Sequence, residues 1–227
     1  MIEANRETIA NDDQHNEIYK RGTGLVSPYM RLLGKIPKMT QKAHAEVSRG
    51  IKDLDAVTAY NPQNWAAFWV KGKGYQALGN HALARTEFMA SLSIQRGNSD
   101  VARECAESCL QLGLGDEAVE ILQYAIGLNP GDAGLQANLA MAFLISGKNQ
   151  QAKTAIEKSL CMSSEDGISK FVGKVVEDVI SGRRKQPKTI ADLESSKALF
   201  FPSKANLGWI VVAIIGLIVL SIVLAHR

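Results

Sequence analysis

Cys105 and Cys109, four residues apart, are the residues of this chain best spaced for chemistry. On a helix they share one face, and two thiolates so placed make half of a tetrahedral zinc set. Nothing nearby completes it. His15, His44, His81 and His226 each lack a second ligand at metal spacing, and Cys161 is isolated. Three cysteines, sparse and odd in number, argue against a disulfide framework and for a reducing compartment. The run Lys71-Gly72-Lys73-Gly74 has the composition of a phosphate cradle. It lacks the preceding strand and the Gly-Lys-Ser/Thr ending that such a loop needs. No Ser/His/Asp or Cys/His signature is present. The sequence therefore calls for no catalytic residue, no cofactor and no metal, and a non-enzymatic protein is expected.

The elements that would carry these residues repeat. With Trp65 as position 1, units 65–98, 99–132 and 133–166 align at a period of 34. Position 15 is always glycine (Gly79, Gly113, Gly147) and position 20 always alanine (Ala84, Ala118, Ala152). Position 8 is Gly72, Ala106 and Ala140; position 11 is Tyr75, Cys109 and Phe143. Position 24 is Phe88, Leu122 and Ile156; position 27 is Ser91, Ala125 and Ser159. Small residues at 8, 20 and 27 let two antiparallel helices approach, and large ones at 11 and 24 fill the space beside them. Glycine at 15 ends the first helix in a left-handed conformation. Asp116 is expected to cap the second helix of its unit, and Pro130 to stop it. Each unit is thus a helix hairpin, and hairpins stack into a solenoid.

This pattern resembles the tetratricopeptide (TPR) family over residues 65 to about 164. The resemblance implies an all-α helical-hairpin solenoid. Cys105 and Cys109 fall on core positions of that family, which implies buried apolar roles. It also implies a concave groove lined by the first helix of each hairpin, with Trp69, Lys73, Gln76, Arg103, Glu104, Glu107, Asn138, Met141 and Leu144 facing a protein or peptide partner. Trp69, Met141 and Leu144 would anchor it, and the charged and amide groups would orient it. One sub-family clamps acidic chaperone C-termini with lysine, arginine and asparagine. Here Trp69, Lys73, Glu104, Gly134 and Asn138 occupy those places, so the clamp is missing.

The flanks read as caps and a membrane tether. Residues 1–39 are polar, without a secretory signal, and are expected to be mobile; any helix pairing with the next would be 23–35. Residues 40–64 read as an N-terminal capping helix. Residues 167–182 read as a C-terminal one, with Ile168, Phe171, Val172, Val175, Val176, Val179 and Ile180 on its apolar face. Residues 183–206 read as a basic juxtamembrane linker with a short helix near 189–199. Residues 207–225 are uncharged and dominated by Ile, Val and Leu. As a helix they would span about 28 Å at about 1.5 Å per residue, against a hydrocarbon core of roughly 30 Å. The expected fold therefore ends in one C-terminal transmembrane helix.

Arg183, Arg184, Lys185, Lys188 and Lys204 flank that span, and Trp209 sits at its interface. The positive flank predicts a single-pass protein with its N-terminal domain cytoplasmic. Basic residues near anionic lipid contribute about 1 kcal/mol each. So long an apolar anchor suits a bacterial inner membrane or the endoplasmic reticulum better than the mitochondrial outer membrane. A net charge of +3 gives no case for nucleic acid. The function expected is a membrane-tethered adaptor or scaffold. Two alternatives stand beside it: a self-associating, membrane-shaping scaffold, and a non-catalytic subunit of a membrane complex.

Overall fold

The structure is a computed structural model that describes residues 9–30 and 38–195. Every described element is helical. They are α1 (Asp12–Val26), a 3₁₀ turn (Ser27–Tyr29), α2 (Gln41–Tyr60), α3 (Trp65–Ala77), α4 (His81–Ile94), α5 (Ser99–Gln111), α6 (Gly115–Leu128), α7 (Ala133–Ile145), α8 (Asn149–Met162), α9 (Gly167–Ile180) and α10 (Ile190–Ser195). The chain to Ile190 is one compact unit; the remainder of α10 belongs to a second.

Four antiparallel hairpins pair α1 with α2, α3 with α4, α5 with α6 and α7 with α8. The second helix of each packs on the first helix of the next, and α9 closes the stack against α7 and α8. The repeated glycine is the hinge of three hairpins: Gly79, Gly113 and Gly147 have φ of 74°, 75° and 74°. A Cβ there would strain the backbone, so glycine ends the helix cheaply. Position 20 is buried in each unit, as are Phe88, Leu122 and Ile156 at position 24.

A second periodic device starts the first helices. Asn64, Asn98, Asp132 and Asp166 stand 34 residues apart, and each side chain accepts the N–H that opens α3, α5, α7 or α9. Those groups have no partner within a helix, so the cap satisfies them. The serines at position 27 also do more than stay small. Ser91 donates to the Trp65 carbonyl at 2.9 Å and Ser159 to the Ala133 carbonyl at 2.7 Å, tying each second helix to the start of its first.

Four findings depart from the sequence reading. Residues 12–26, inside the stretch expected to be mobile, form α1, the partner of α2. The pair closes through glycines: a Cβ on Gly50 would meet the Gly22 carbonyl at 2.8 Å. Asp116 does not cap α6, whose cap residue is Leu114 without a side-chain bond; Asp116 pairs with Lys148 at 2.8 Å instead. On α9, Val172, Val175, Val176 and Val179 are buried, but Ile168 and Ile180 at its ends are 61% and 47% exposed. Lastly, residues 183–190 lie on the solenoid rather than hanging free as a tether; the short helix expected near 189–199 is present as α10, described over Ile190–Ser195.

Among the described residues no helix is long and apolar enough to cross a membrane. The expected span 207–225, with Lys204 and Trp209, lies outside the described residues.

Candidate functional site

The first helices carry the residues expected to face a partner. Of those residues the structure buries Lys73 and Leu144 and leaves the other seven partly exposed. Lys73 in α3 reaches across to α5, where its Nζ lies 2.9 Å from Glu104 Oε1; its side chain is 2% exposed. Gln76 Nε2 donates to the other carboxylate oxygen at 3.0 Å. These three side chains are engaged with one another. A carboxylate holding both an ammonium and an amide is a lock between hairpins, since an unpaired charge at that depth would be costly. Trp69 is half-buried and packs against two core clusters, one around Leu54 and Val57 and the other around Phe88 and Cys105. Leu144 is fully buried.

The other four lie further along, on α5 and α7. Arg103 pairs with Asp132, the cap of α7, and with Asp100 at 3.5 Å. Its side chain stays 33% exposed, so it couples two hairpins and still presents its guanidinium at the surface. Glu107, Asn138 and Met141 are half-buried on α5 and α7. An acid, an amide and a thioether on adjacent helices form a mixed polar and apolar surface.

The chemistry-like motifs resolve into packing. Lys71-Gly72-Lys73-Gly74 is mid-helix in α3. Lys71 Nζ lies 2.8 Å from Asp55 and 3.1 Å from Glu87, joining α2, α3 and α4. Burial works to lower its pKa, yet the hydrogen bond to Asp55 and the charge of Glu87 hold it above the usual lysine value. Burial pushes the Glu87 carboxyl upward against the pull of Lys71. Both glycines of the motif give way to neighbours. A Cβ on Gly72 would meet the Phe88 ring at 2.5 Å, and one on Gly74 would meet Ile51 at 2.9 Å. Cys105 and Cys109 are fully buried, and no cluster of three His, Cys, Asp or Glu suited to a metal occurs among the described residues. A hydrogen bond with Cys109, together with burial, pushes the Cys105 thiol up.

The basic segment after α9 is placed as far as Ile190. Gly182 (φ 72°) turns the chain, Arg183 pairs with Asp178 at 2.7 Å, and the Arg184 N–H donates to the Asp178 carbonyl at 3.0 Å. Lys185 is exposed. Gln186 Nε2 donates to the Leu144 carbonyl, Pro187 is buried, and Lys188 lays its carbonyl against Gly113. Sequence reasoning missed this docking because Pro187 is the one apolar side chain of 183–188. The 34-residue recurrence of Asn or Asp before each first helix was a readable signal for the caps.

No protein-family model matches the sequence, and no curated protein does either. Solved structures do. A double mutant of MamA from strain RS-1 superimposes with a TM-score of 0.63 at 11% identity, over 83% of this chain and 97% of that one. YrrB, described as a TPR protein with an unusual peptide-binding site, gives 0.54 at 16% identity over 69% and 80%. The fold is that of a TPR solenoid. PilF of Pseudomonas aeruginosa is similar too, with a TM-score of 0.55 at 18% identity over 74% of this chain and 71% of that one. At such identities the likeness concerns the arrangement of helices, which in this chain comprises four hairpins and a closing helix among the described residues.

Proposed function

We propose that this chain is a membrane-tethered TPR adaptor that holds a protein or peptide partner on its first-helix face. The reading is carried by the partly exposed strip on that face: Trp69, Gln76, Arg103, Glu104, Glu107, Asn138 and Met141 stay partly exposed on α3, α5 and α7, and only Lys73 and Leu144 of the expected residues are buried. A TPR fold offering a mixed polar and apolar strip has the makings of a peptide site. The peptide-binding site named for YrrB supports it by analogy of fold. The Lys73–Glu104 pair fixes the spacing of α3 and α5 within that face, and Leu144 is buried in α7.

Tethering rests on the sequence of residues 207–225, an uncharged run preceded by Lys204 and headed by Trp209. The positive flank favours a cytoplasmic domain at a bacterial inner membrane or the endoplasmic reticulum. No catalytic role, cofactor or metal is part of the proposal.

The test is co-purification of the full chain in mild detergent, comparing wild type with Asn138→Ala/Met141→Ala. A partner retained by the first and lost from the second supports the adaptor. An identical set of partners on both would reject the groove. Alkaline carbonate extraction tests the tether: wild type should stay with the membrane, and deletion of 207–225 should release it.

A further inference from the structure

After α9 the chain doubles back over its own repeats. From the turn at Gly182 it passes the C-terminal end of α7, where Gln186 bonds the Leu144 carbonyl, and reaches the α5–α6 turn, where the Lys188 carbonyl meets Gly113. A Cβ at Gly113 would lie 2.8 Å from that carbonyl and 3.6 Å from the Thr189 methyl. Pro187, buried between these two contacts, disfavours helix at Gln186, and the chain bends at Lys188 and Thr189 before α10. The Leu144 carbonyl lies in the last turn of α7 and already accepts the Gly147 N–H at 3.0 Å, so Gln186 is a second donor to it.

An amide donor to a helix-end carbonyl, a buried proline and a main-chain carbonyl on a turn glycine hold this segment on the repeats, while Gln186 and Lys188 themselves stay exposed. We propose that Gln186–Thr189 is the resident ligand of a peptide site at the C-terminal ends of α5 and α7. A partner segment of the same chemistry, an amide side chain followed by proline and lysine, binds there by displacing it. This deepens the adaptor reading and rests on it for the identity of the competitor.

A ligand tethered in cis is present at an effective concentration of about millimolar, so it masks its own site from free peptide. The experiment titrates fluorescein-labelled RRKQPKTI, residues 183–190, into the full chain in detergent. Wild type is compared with Gln186→Gly/Pro187→Gly, and with Gln186→Ala alone. The double variant should bind the peptide at least about ten-fold more tightly than wild type, with Gln186→Ala between them. Hydrogen exchange should quicken at residues 188–190 of the double variant and stay unchanged in α7 and α9. Equal affinity for wild type and double variant would overturn the proposal, as would no binding to a double variant whose repeats exchange as in wild type. The Asn138→Ala/Met141→Ala co-purification reads capture of a partner, whereas the titration reads release of the chain's own residues 186–189, so the two ideas fail separately.

Discussion

Gly72 lies directly against the ring of Phe88: a Cβ added to the glycine would stand 2.5 Å from Cε1. The two residues hold positions 8 and 24 of the first repeat. In the next two units the same positions are Ala106 with Leu122 and Ala140 with Ile156. The bigger residue at 24 goes with the smaller one at 8, which is what a fixed spacing between paired helices requires.

Gly72→Ala should therefore destabilise the domain even though alanine is the better helix former by roughly 1 kcal/mol. Overpacking costs about 1–3 kcal/mol in a close-packed site, leaving a net loss of about 1 kcal/mol. Phe88→Leu in the same chain should recover most of it by restoring the pairing of the second unit. A double-mutant cycle from urea unfolding measures the coupling. Additive effects would show that the two positions do not share one space.

Glu104→Ala should be among the more damaging changes on the first-helix face. It strips the carboxylate from an ammonium that is 2% exposed, and breaking a buried pair on one side costs roughly 3–5 kcal/mol. Lys73→Met should cost less. It leaves Glu104, 20% exposed, still accepting from Gln76 and within reach of water. Thermal unfolding of the two variants gives the order. The reverse order would mean that Lys73 is held mainly by other groups.

Asp166 contributes stability that depends on pH. The Ser169 hydroxyl and backbone N–H, both 2.6 Å from its carboxylate, hold its pKa below the ordinary value of 3.8. A depressed carboxyl stabilises the fold above its unfolded value, and this is lost as pH falls through the folded value. Asp166→Ala should cost about 1 kcal/mol at neutral pH as a lost cap. The gap in melting temperature between wild type and Asp166→Ala should close as pH drops below 3.8. A gap independent of pH would assign the effect to packing alone.

The parts of this molecule legible in sequence are those that recur. Gly79, Gly113 and Gly147 mark three turns because each must take positive φ, and alanine at position 20 marks three close crossings. Helix α1 escaped because it opens with the polar run Asp12 to Asn16 and carries Gly22 and Gly24, so its apolar stripe reduces to Ile18, Val26 and a few partly covered neighbours. Groove position alone could not show that Lys73 and Glu104 satisfy each other, because a charge lining a groove and a charge crossing it have the same spacing. The docking of Gln186 and Lys188 uses an amide and main-chain carbonyls, which leave no hydrophobic trace.

Gly113 and Gly147 provide an internal comparison. Both sit at position 15 with φ of 75° and 74°, so alanine meets the same backbone strain at each, about 1–2 kcal/mol. Nothing lies within 4 Å of a Cβ built on Gly147, whereas one on Gly113 strikes the Lys188 carbonyl at 2.8 Å. Gly147→Ala should thus show the backbone cost alone. Gly113→Ala should show that cost plus loss of the docked segment, seen as faster tryptic cleavage after Lys185 and faster amide exchange at residues 188–190. The excess should disappear in a chain already carrying Gln186→Gly/Pro187→Gly, because the segment is then no longer held. If the two alanine variants melt alike and are cleaved alike, the Lys188 contact contributes nothing to holding residues 183–190 on the repeats.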